Sequence, residues 1–355
     1  MCAGRHERER MGRNITIYDI AKEAGLSHTT VSQALRNFTC VKEETRQRVL
    51  EIAHRMGYNR NFFAASLRKG SSRQIALVIP RNDNRGKMAN LFDALQRMLD
   101  QNGYSLILFP LLTPENTTQV FEQVLQGGYD GVITYLYTYE QFRPYAAAFR
   151  ERHCPVVVIG SPSDMECRPG IIVFDQGNLA SLQEALQTLH ELGHRRIVHI
   201  QDPRHAQTPQ CRLIHDFVQE HGPARWQSEL LVETGGQPGL EAGRCTAARL
   251  LAERPGVTAV QCPNDYFAAG LICGLHDHGV EVPRDISVIG SDNQDLCEYL
   301  IPRLSSIEIG DYNAAPQMVA SLLEHLRETE WESLANCFEL NSVFHRRESI
   351  GPARV

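Results

Sequence analysis

The chain has 355 residues, 42% of them hydrophobic and 22% charged, with a formal net charge of −6 at neutral pH. That length exceeds one ordinary hydrophobic core and predicts two or three domains. No apolar run approaches the ~20 residues that a membrane span needs, and the first residues lack the apolar centre of a secretory signal.

The charge is divided unevenly. Residues 1–73 hold 14 Lys and Arg against 7 Asp and Glu, a net of +7, and the remainder holds 22 against 35, a net of −13. A basic head on an acidic body predicts that only the head meets a polyanion. The ten cysteines are scattered without a C-x-x-C pair. That is a pattern of reduced thiols, not of a disulfide framework or a structural zinc site. Residues 1–14 read as a disordered basic leader, within which either Met1 or Met11 can start translation.

Residues 15–59 predict three helices. In "TIYDIAKEAGLSHTTVSQALRN" (16–37), Thr16 with Asp19 can cap a helix whose apolar positions are Ile17, Ile20, Ala21 and Ala24. Gly25 closes it, because glycine accepts a left-handed backbone at little steric cost. Ser27 can cap a second helix with Val31, Ala34 and Leu35 facing inward. Two short helices crossing closely at a tight bend suit a helix-turn-helix, and the same pattern also fits an ordinary helical hairpin. His28, Thr29, Ser32, Gln33 and Arg36 point outward, where they can hydrogen-bond base edges or phosphates in a major groove. The third helix, "KEETRQRVLEIAHRMGY" (42–58), is expected to bury Val49, Leu50, Ile52, Ala53 and Met56. Residues 60–73, "RNFFAASLRKGSSR", read as a linker with marginal helical content.

From residue 74 onward, β-branched runs alternate with helical stretches. The runs are "QIALVIP", "YSLILFP", "GVITYL", "PVVVIG", "IIVFD", "RIVHI", "TAVQCP" and "ISVIG"; the helical stretches include 88–101, 115–126, 178–192, 208–221, 240–252 and 265–278. This alternation implies parallel sheets with helices on both faces, in two units side by side. Ligands of such sheets bind beyond the carboxyl ends of the strands.

His190-Glu191-Leu192-Gly193-His194 spells the H-E-x-x-H pattern of zinc peptidases. The helix containing it, "LASLQEALQTLHEL" (179–192), buries Leu182, Ala185, Leu186, Leu189 and Leu192 and turns Gln183, Gln187 and His190 to solvent. Gly193 stands where a C-terminal cap belongs, so the helix stops before His194 and the two histidines need not share a face. His276-Asp277-His278 alternates around a helix end and is a weaker metal candidate. The chain has no nucleophile elbow and no Gly-rich phosphate loop. The expectation is therefore no catalytic residue, no metal and no cofactor.

Thr16-Ile17-Tyr18-Asp19-Ile20-Ala21, "AGLSHTTVSQAL", "EETRQRVLEIAHRMGY" and "AASLRKG" occur in the order and spacing of the lactose-repressor (LacI/GalR) family, which this head resembles. The resemblance implies a cytoplasmic, nucleoid-associated homodimer that represses metabolic genes from a palindromic double-stranded operator. It places DNA contacts at Thr16, Tyr18, Ser27, His28, Thr29, Thr30, Ser32, Gln33, Arg36, Asn37, Asn61, Ala64, Leu67, Arg68 and Lys69. Residues 60–73 would form a hinge helix whose Leu67, after the small Ala64, wedges into the minor groove and kinks a flexible base step. Three positions depart from the family: Gln33 stands for Arg, Lys42 for a capping Ser, and Arg60 for Pro. Gln33 shifts the base preference from guanine towards adenine.

The body resembles the family's effector domain in "LGHRRIVHI", "PNDYFAAGLICGLHDHGVEVPRDISVIGSDN" and "HRRESIG". The fold implied is a small all-α helix-turn-helix head plus an α/β two-lobed, periplasmic-binding-protein-like body with parallel sheets. Lobe 1 is expected to comprise about 74–175 and 304–326, and lobe 2 about 176–303 and 327–352. A small-molecule effector, a sugar or sugar derivative, would meet Asn84, Tyr135, Asp175, Gln210, Asp265 and Asp292. Asp265 suits a helix N-cap equally well. Tyr135, Tyr137 and Tyr139 can stack on a sugar ring or be half-buried aromatics. Asn84-Arg85-Gly86-Lys87 departs from the family's Asn-Pro-Phe-Phe; Arg85 and Lys87 suit either an acidic ligand or solvent. Gln210 replaces a common effector-binding Arg. No leucine-heptad tail follows Val343, which favours a dimer over a tetramer. The alternative reading is a ligand-binding or transport protein on the same body.

Overall fold

The computed structural model describes residues 15–35, 41–56, 71–80, 85–111, 116–136, 142–160, 168–176, 179–201, 209–232, 239–310, 313–328, 330–334 and 336–354. The chain divides into two compact units after Gly70.

The head contains α1 (Ile17–Ala24), α2 (His28–Leu35) and α3 (Glu43–Arg55). Asp19 accepts the Thr16 backbone N–H at 2.8 Å and its hydroxyl at 2.6 Å, holding the first turn of α1. Gly25 follows with φ of 66°, and the Leu26 N–H returns to the Ala21 carbonyl at 3.0 Å. The Ser27 hydroxyl then accepts the Thr30 N–H at 3.1 Å, capping α2. Ile20, Ala21, Ala24, Val31, Ala34, Val49, Ile52 and Ala53 form one small core. Leu50 does not join it and is 42% exposed. A helix with two short neighbours buries only a narrow stripe, and Leu50 lies beside that stripe. Lys42 makes no side-chain cap on α3; Glu43 instead holds Arg46 and Gln47 within that first turn.

The body begins with β1 (Gln74–Pro80), α4 (Arg85–Gln101), β2 (Ser105–Leu111), α5 (Thr117–Gln126), β3 (Gly131–Leu136), α6 (Arg143–Glu151), β4 (Val156–Gly160) and β5 (Ile171–Asp175). It continues with α7 (Ala180–Glu191), β6 (Ile197–Gln201), α8 (Pro209–His221), β7 (Glu229–Leu231), α9 (Leu240–Glu253), β8 (Ala259–Gln261), α10 (Asp265–Asp277) and β9 (Ser287–Ser291). It closes with β10 (Ser305–Ile309), α11 (Ala315–Arg327), β11 (Cys337–Glu339) and β12 (Ser342–His345).

The first sheet runs β11-β5-β4-β3-β1-β2 and is parallel throughout. Alternation along the strands splits its side chains between two layers. Ile75, Leu77, Ile133, Val157, Ile159 and Phe174 pack under α4 and α11, while Val78, Val132, Val156, Val158 and Val173 pack under α5 and α6. Fully buried Leu95 of α4 illustrates the scale: truncation to Ala costs about 2–5 kcal/mol.

The second sheet runs β12-β10-β9-β8-β6-β7; β12 is antiparallel to β10 and the other pairs are parallel. Helices α9 and α10 cover one face, and α7 and α8 the other. Two expected lobe boundaries are corrected. In segment 304–326, β10 belongs to the second sheet and only α11 packs on the first; in segment 327–352, β11 pairs with β5 of the first. The chain crosses between lobes three times, after β5, β10 and β11, and the last two crossings are tied by the Gly310 N–H to the Asn341 carbonyl at 2.9 Å.

No helix among the described residues is long and apolar enough to cross a membrane. Of the described cysteines, Cys154, Cys211, Cys262 and Cys297 are buried, and Cys245, Cys273 and Cys337 are exposed.

Candidate nucleic-acid interface and effector site

The core side of α2 is Val31 and Ala34, which leaves His28 and Thr29 exposed and Thr30, Ser32 and Gln33 half-buried on its other faces. Tyr18 of α1 is 60% exposed, and its ring lies 5.4 Å from that of His28. The first turns of α1 and α2 thus present Thr16, Tyr18, Ser27, His28 and Thr29 together. Hydroxyl, imidazole and amide groups of this length suit phosphate oxygens and base edges. Ser27 and Thr30 also bond to each other at 2.8 Å, so each serves the cap as well as the surface. Arg36, Asn37, Asn61, Ala64, Leu67, Arg68 and Lys69 lie outside the described residues.

In the body, those expected effector residues that are described fall at the carboxyl ends of strands or at the helix starts that follow them. Tyr135 on β3 is 7% exposed, and its hydroxyl exchanges hydrogen bonds of 3.0 and 2.9 Å with the Gln176 carboxamide just beyond β5. Asp175 ends β5, and its carbonyl accepts the Leu340 N–H at 2.8 Å. Gln210 is the second residue of α8 and is half-buried. Asn84, Tyr137 and Tyr139 lie outside the described residues, and Arg85 to Lys87 open α4.

Asp265 departs from the N-cap reading. The N-cap of α10 is Asn264, whose side chain accepts the Phe267 N–H at 2.8 Å. Asp265 is the next residue and is fully buried. Its two oxygens accept the Ser306 hydroxyl at 2.6 Å and the Gln294 N–H at 2.7 Å. A side chain at position 290 would overlap that carboxyl, which is why β9 carries Gly290 there. Asp265 therefore braces β10 and the segment after β9 against the start of α10.

The brace holds the neighbouring loop in a costly shape. Asp292 and Asn293 have φ of 95° and 47°, a left-handed region that L side chains rarely adopt. The Asp292 N–H bonds the Ile307 carbonyl at 2.7 Å, and the Asn293 N–H bonds Ser306 Oγ at 3.0 Å. The Asn293 carboxamide reaches Glu308 at 3.0 Å and Arg347 at 2.7 Å. Asp292, 7% exposed, is thus fixed directly beyond β9. Gln176, Asn264, Gln294 and Ser306 are contributors that sequence reading missed; for Gln176 the signal available was a polar residue just beyond an apolar strand.

The zinc pattern does not bring its two histidines together. Helix α7 ends at Glu191, Gly193 has φ of 92°, and His194 turns inward to 1% exposure. Its Nε2 lies 2.9 Å from the Gly351 carbonyl and 3.1 Å from Ser287 Oγ. His190 instead faces the His221 ring at 4.8 Å. His278 bonds the Gly274 carbonyl of its own helix. No group of three metal-ligating side chains occurs among the described residues.

Comparison with known proteins agrees with this geometry. Residues 16–61 match the bacterial regulatory proteins of the lacI family, and residues 186–337 match a periplasmic binding protein-like domain. The chain is 30% identical over 300 residues to the probable HTH-type transcriptional repressor ExuR of Bacillus subtilis, covering 83% of this chain and 86% of that protein. It is 30% identical over 298 residues to the HTH-type transcriptional repressor PurR of Escherichia fergusonii, covering 82% and 84%. Among solved structures, the lac repressor dimer bound to operator and the anti-inducer ONPF superposes with a TM-score of 0.77 at 20% identity, over 96% of this chain and 100% of that one. The complex of the transcriptional regulator CelR with cellobiose gives 0.65 at 21% identity, over 94% and 99%. The chain belongs to the lacI family of bacterial regulatory proteins.

Proposed function

We propose that this regulator is a homodimeric repressor of metabolic genes. It binds a twofold-symmetric operator through α2 and releases or tightens its grip when a sugar-like effector enters the cleft between the lobes. One observation carries the DNA-binding reading: the compact three-helix core leaves the first turns of α1 and α2 free on a head of net charge +7. Two such heads on a dimer would address half-sites related by a twofold axis. Tyr299 and Ile301, 85% and 94% exposed beyond β9, are large apolar side chains suited to a contact between copies. The strained Asp292 loop supports the effector reading, since a carboxylate fixed beside a strand end accepts hydroxyl protons. Family membership argues against the alternative of a transport protein.

The test is titration of the full chain on a selected duplex and on random duplex. Thr29→Ala and Gln33→Ala should weaken the selected duplex by about tenfold while leaving random DNA within about twofold, since phosphate contacts remain. Equal losses on both duplexes would contradict a base-reading role for α2.

A further inference from the structure

On the α7–α8 face of the second sheet, side chains change character along the strands. Ile197, Ala259 and Ile289 are buried and apolar, while two residues further on the same strands stand His199, Gln261 and Ser291. Gln201 follows His199 on β6, and Cys211 of α8 covers both. An apolar layer thus becomes a polar one at the carboxyl ends, the edge at which parallel sheets receive ligands.

The hydrogen bonds fix the orientation of this cluster. Gln261 Nε2 donates to the Cys262 carbonyl at 2.7 Å and to Ser291 Oγ at 3.0 Å. Its oxygen therefore accepts from His199 Nδ1–H. The other ring nitrogen, Nε2, lies 3.4 Å from Cys211 Sγ, and the thiol also meets the Gln201 oxygen. Gln201 is 97% buried (3% exposed), yet its Nε2 has no hydrogen-bond partner among the described residues. Buried amides are nearly always paired, and the unpaired end marks a place for a further polar group.

The cluster has no charge to offer. Burial pushes His199 down to about 4, so its imidazole is neutral at physiological pH. Gln201, Gln261, Ser291 and Cys211 carry no formal charge, and position 210 beside Cys211 is Gln. A carboxylate or phosphate placed here would be desolvated without a counter-charge from any of these residues. A hydroxyl, which both donates and accepts, suits the site.

We infer that Gln201, backed by Cys211, His199 and Gln261, forms a subsite of the effector cleft that receives an uncharged hydroxyl. The effector is accordingly a neutral polyhydroxy compound, not a sugar acid or a sugar phosphate. This rests on the effector-regulated reading given above.

The experiment measures the melting temperature of the full chain with ribose, cellobiose, lactose, glucuronate and ribose 5-phosphate, in wild type and in Gln201→Met and Gln201→Glu. Operator affinity without additive is recorded for each. A neutral probe should raise the wild-type melting temperature, and both variants should bind it about tenfold more weakly or worse, with unliganded operator affinity retained. Using two variants separates lost ligand binding from a failure to fold. The subsite is overturned if only glucuronate or the phosphate acts, if no neutral probe acts, or if both variants respond as wild type does. Failure of wild type to prefer any operator would instead overturn the regulatory reading and is seen separately.

Discussion

Ser306 Oγ donates a 2.6 Å hydrogen bond to Asp265 Oδ1, joining β10 to the start of α10 beneath the Asp292 loop. Burial is the main cause that raises the Asp265 carboxyl from 3.8 to about 7, and Asp292 adds to it; the Ser306 and Gln294 bonds oppose the rise. A carboxyl whose pKa is higher in the folded than in the unfolded state favours folding while protonated. Its contribution, on the order of 4 kcal/mol, is complete below about pH 4 and fades as pH rises through about 7. The denaturant midpoint of wild type should therefore fall between pH 5 and pH 8 relative to that of Asp265→Asn. Parallel profiles for the two proteins would contradict this assignment.

His194 is a structural histidine. His194→Ala should lower stability by about 1–3 kcal/mol, because the Ser287 hydroxyl and the Gly351 carbonyl lose their shared partner. His190→Ala should stay within about 0.5 kcal/mol. Added zinc or a chelator should leave the melting temperature of wild type unchanged; a zinc-dependent rise would revive the metal reading.

Helices α9 and α10 approach closely through glycines, and a Cβ at Gly270 would overlap the Leu240 carbonyl. Gly270→Ala should force the pair apart and cost about 1–3 kcal/mol or more in a urea titration. The same substitution at Gly279, whose surroundings are open and whose φ is 73°, should cost only the backbone strain of about 1 kcal/mol.

The exposed turn beyond β9 gives a test of assembly. Ile301→Asp should shift the chain from dimer to monomer in sedimentation at micromolar concentration. Operator affinity should fall with it, because one head reaches only one half-site. An unchanged dimer would place the interface elsewhere.

Much of the body was legible because β-branched runs between helical stretches have few alternatives, and eight predicted strands formed. The strands that were missed lack that signature. β10, "SSIEI", opens on two buried serines held by Asp265 and Ser349, while β11 and β7 have only three residues. Their membership depends on pairing partners far away in the chain, which local pattern does not encode. The placement of Asp292 and Tyr135 just beyond or near strand ends was legible. The helix cap was misplaced at Asp265 instead of Asn264, and sequence does not reveal that Ser306 and Gln294 close on the Asp265 carboxyl from another strand and a loop. The polar cluster around His199 was hidden because "RIVHI" reads only as a strand. Period two tells that His199 and Gln201 share a face but not what covers it.

In this regulator the head reads bases and the body governs its grip. Selection of bound duplexes from a random pool by the full chain measures this most directly. The expected result is an enriched, twofold-symmetric sequence whose affinity falls steeply with salt, with half-site preferences altered by Gln33→Arg towards guanine. Recovery of unenriched DNA, or of a consensus unchanged by that substitution and without twofold symmetry, would contradict it.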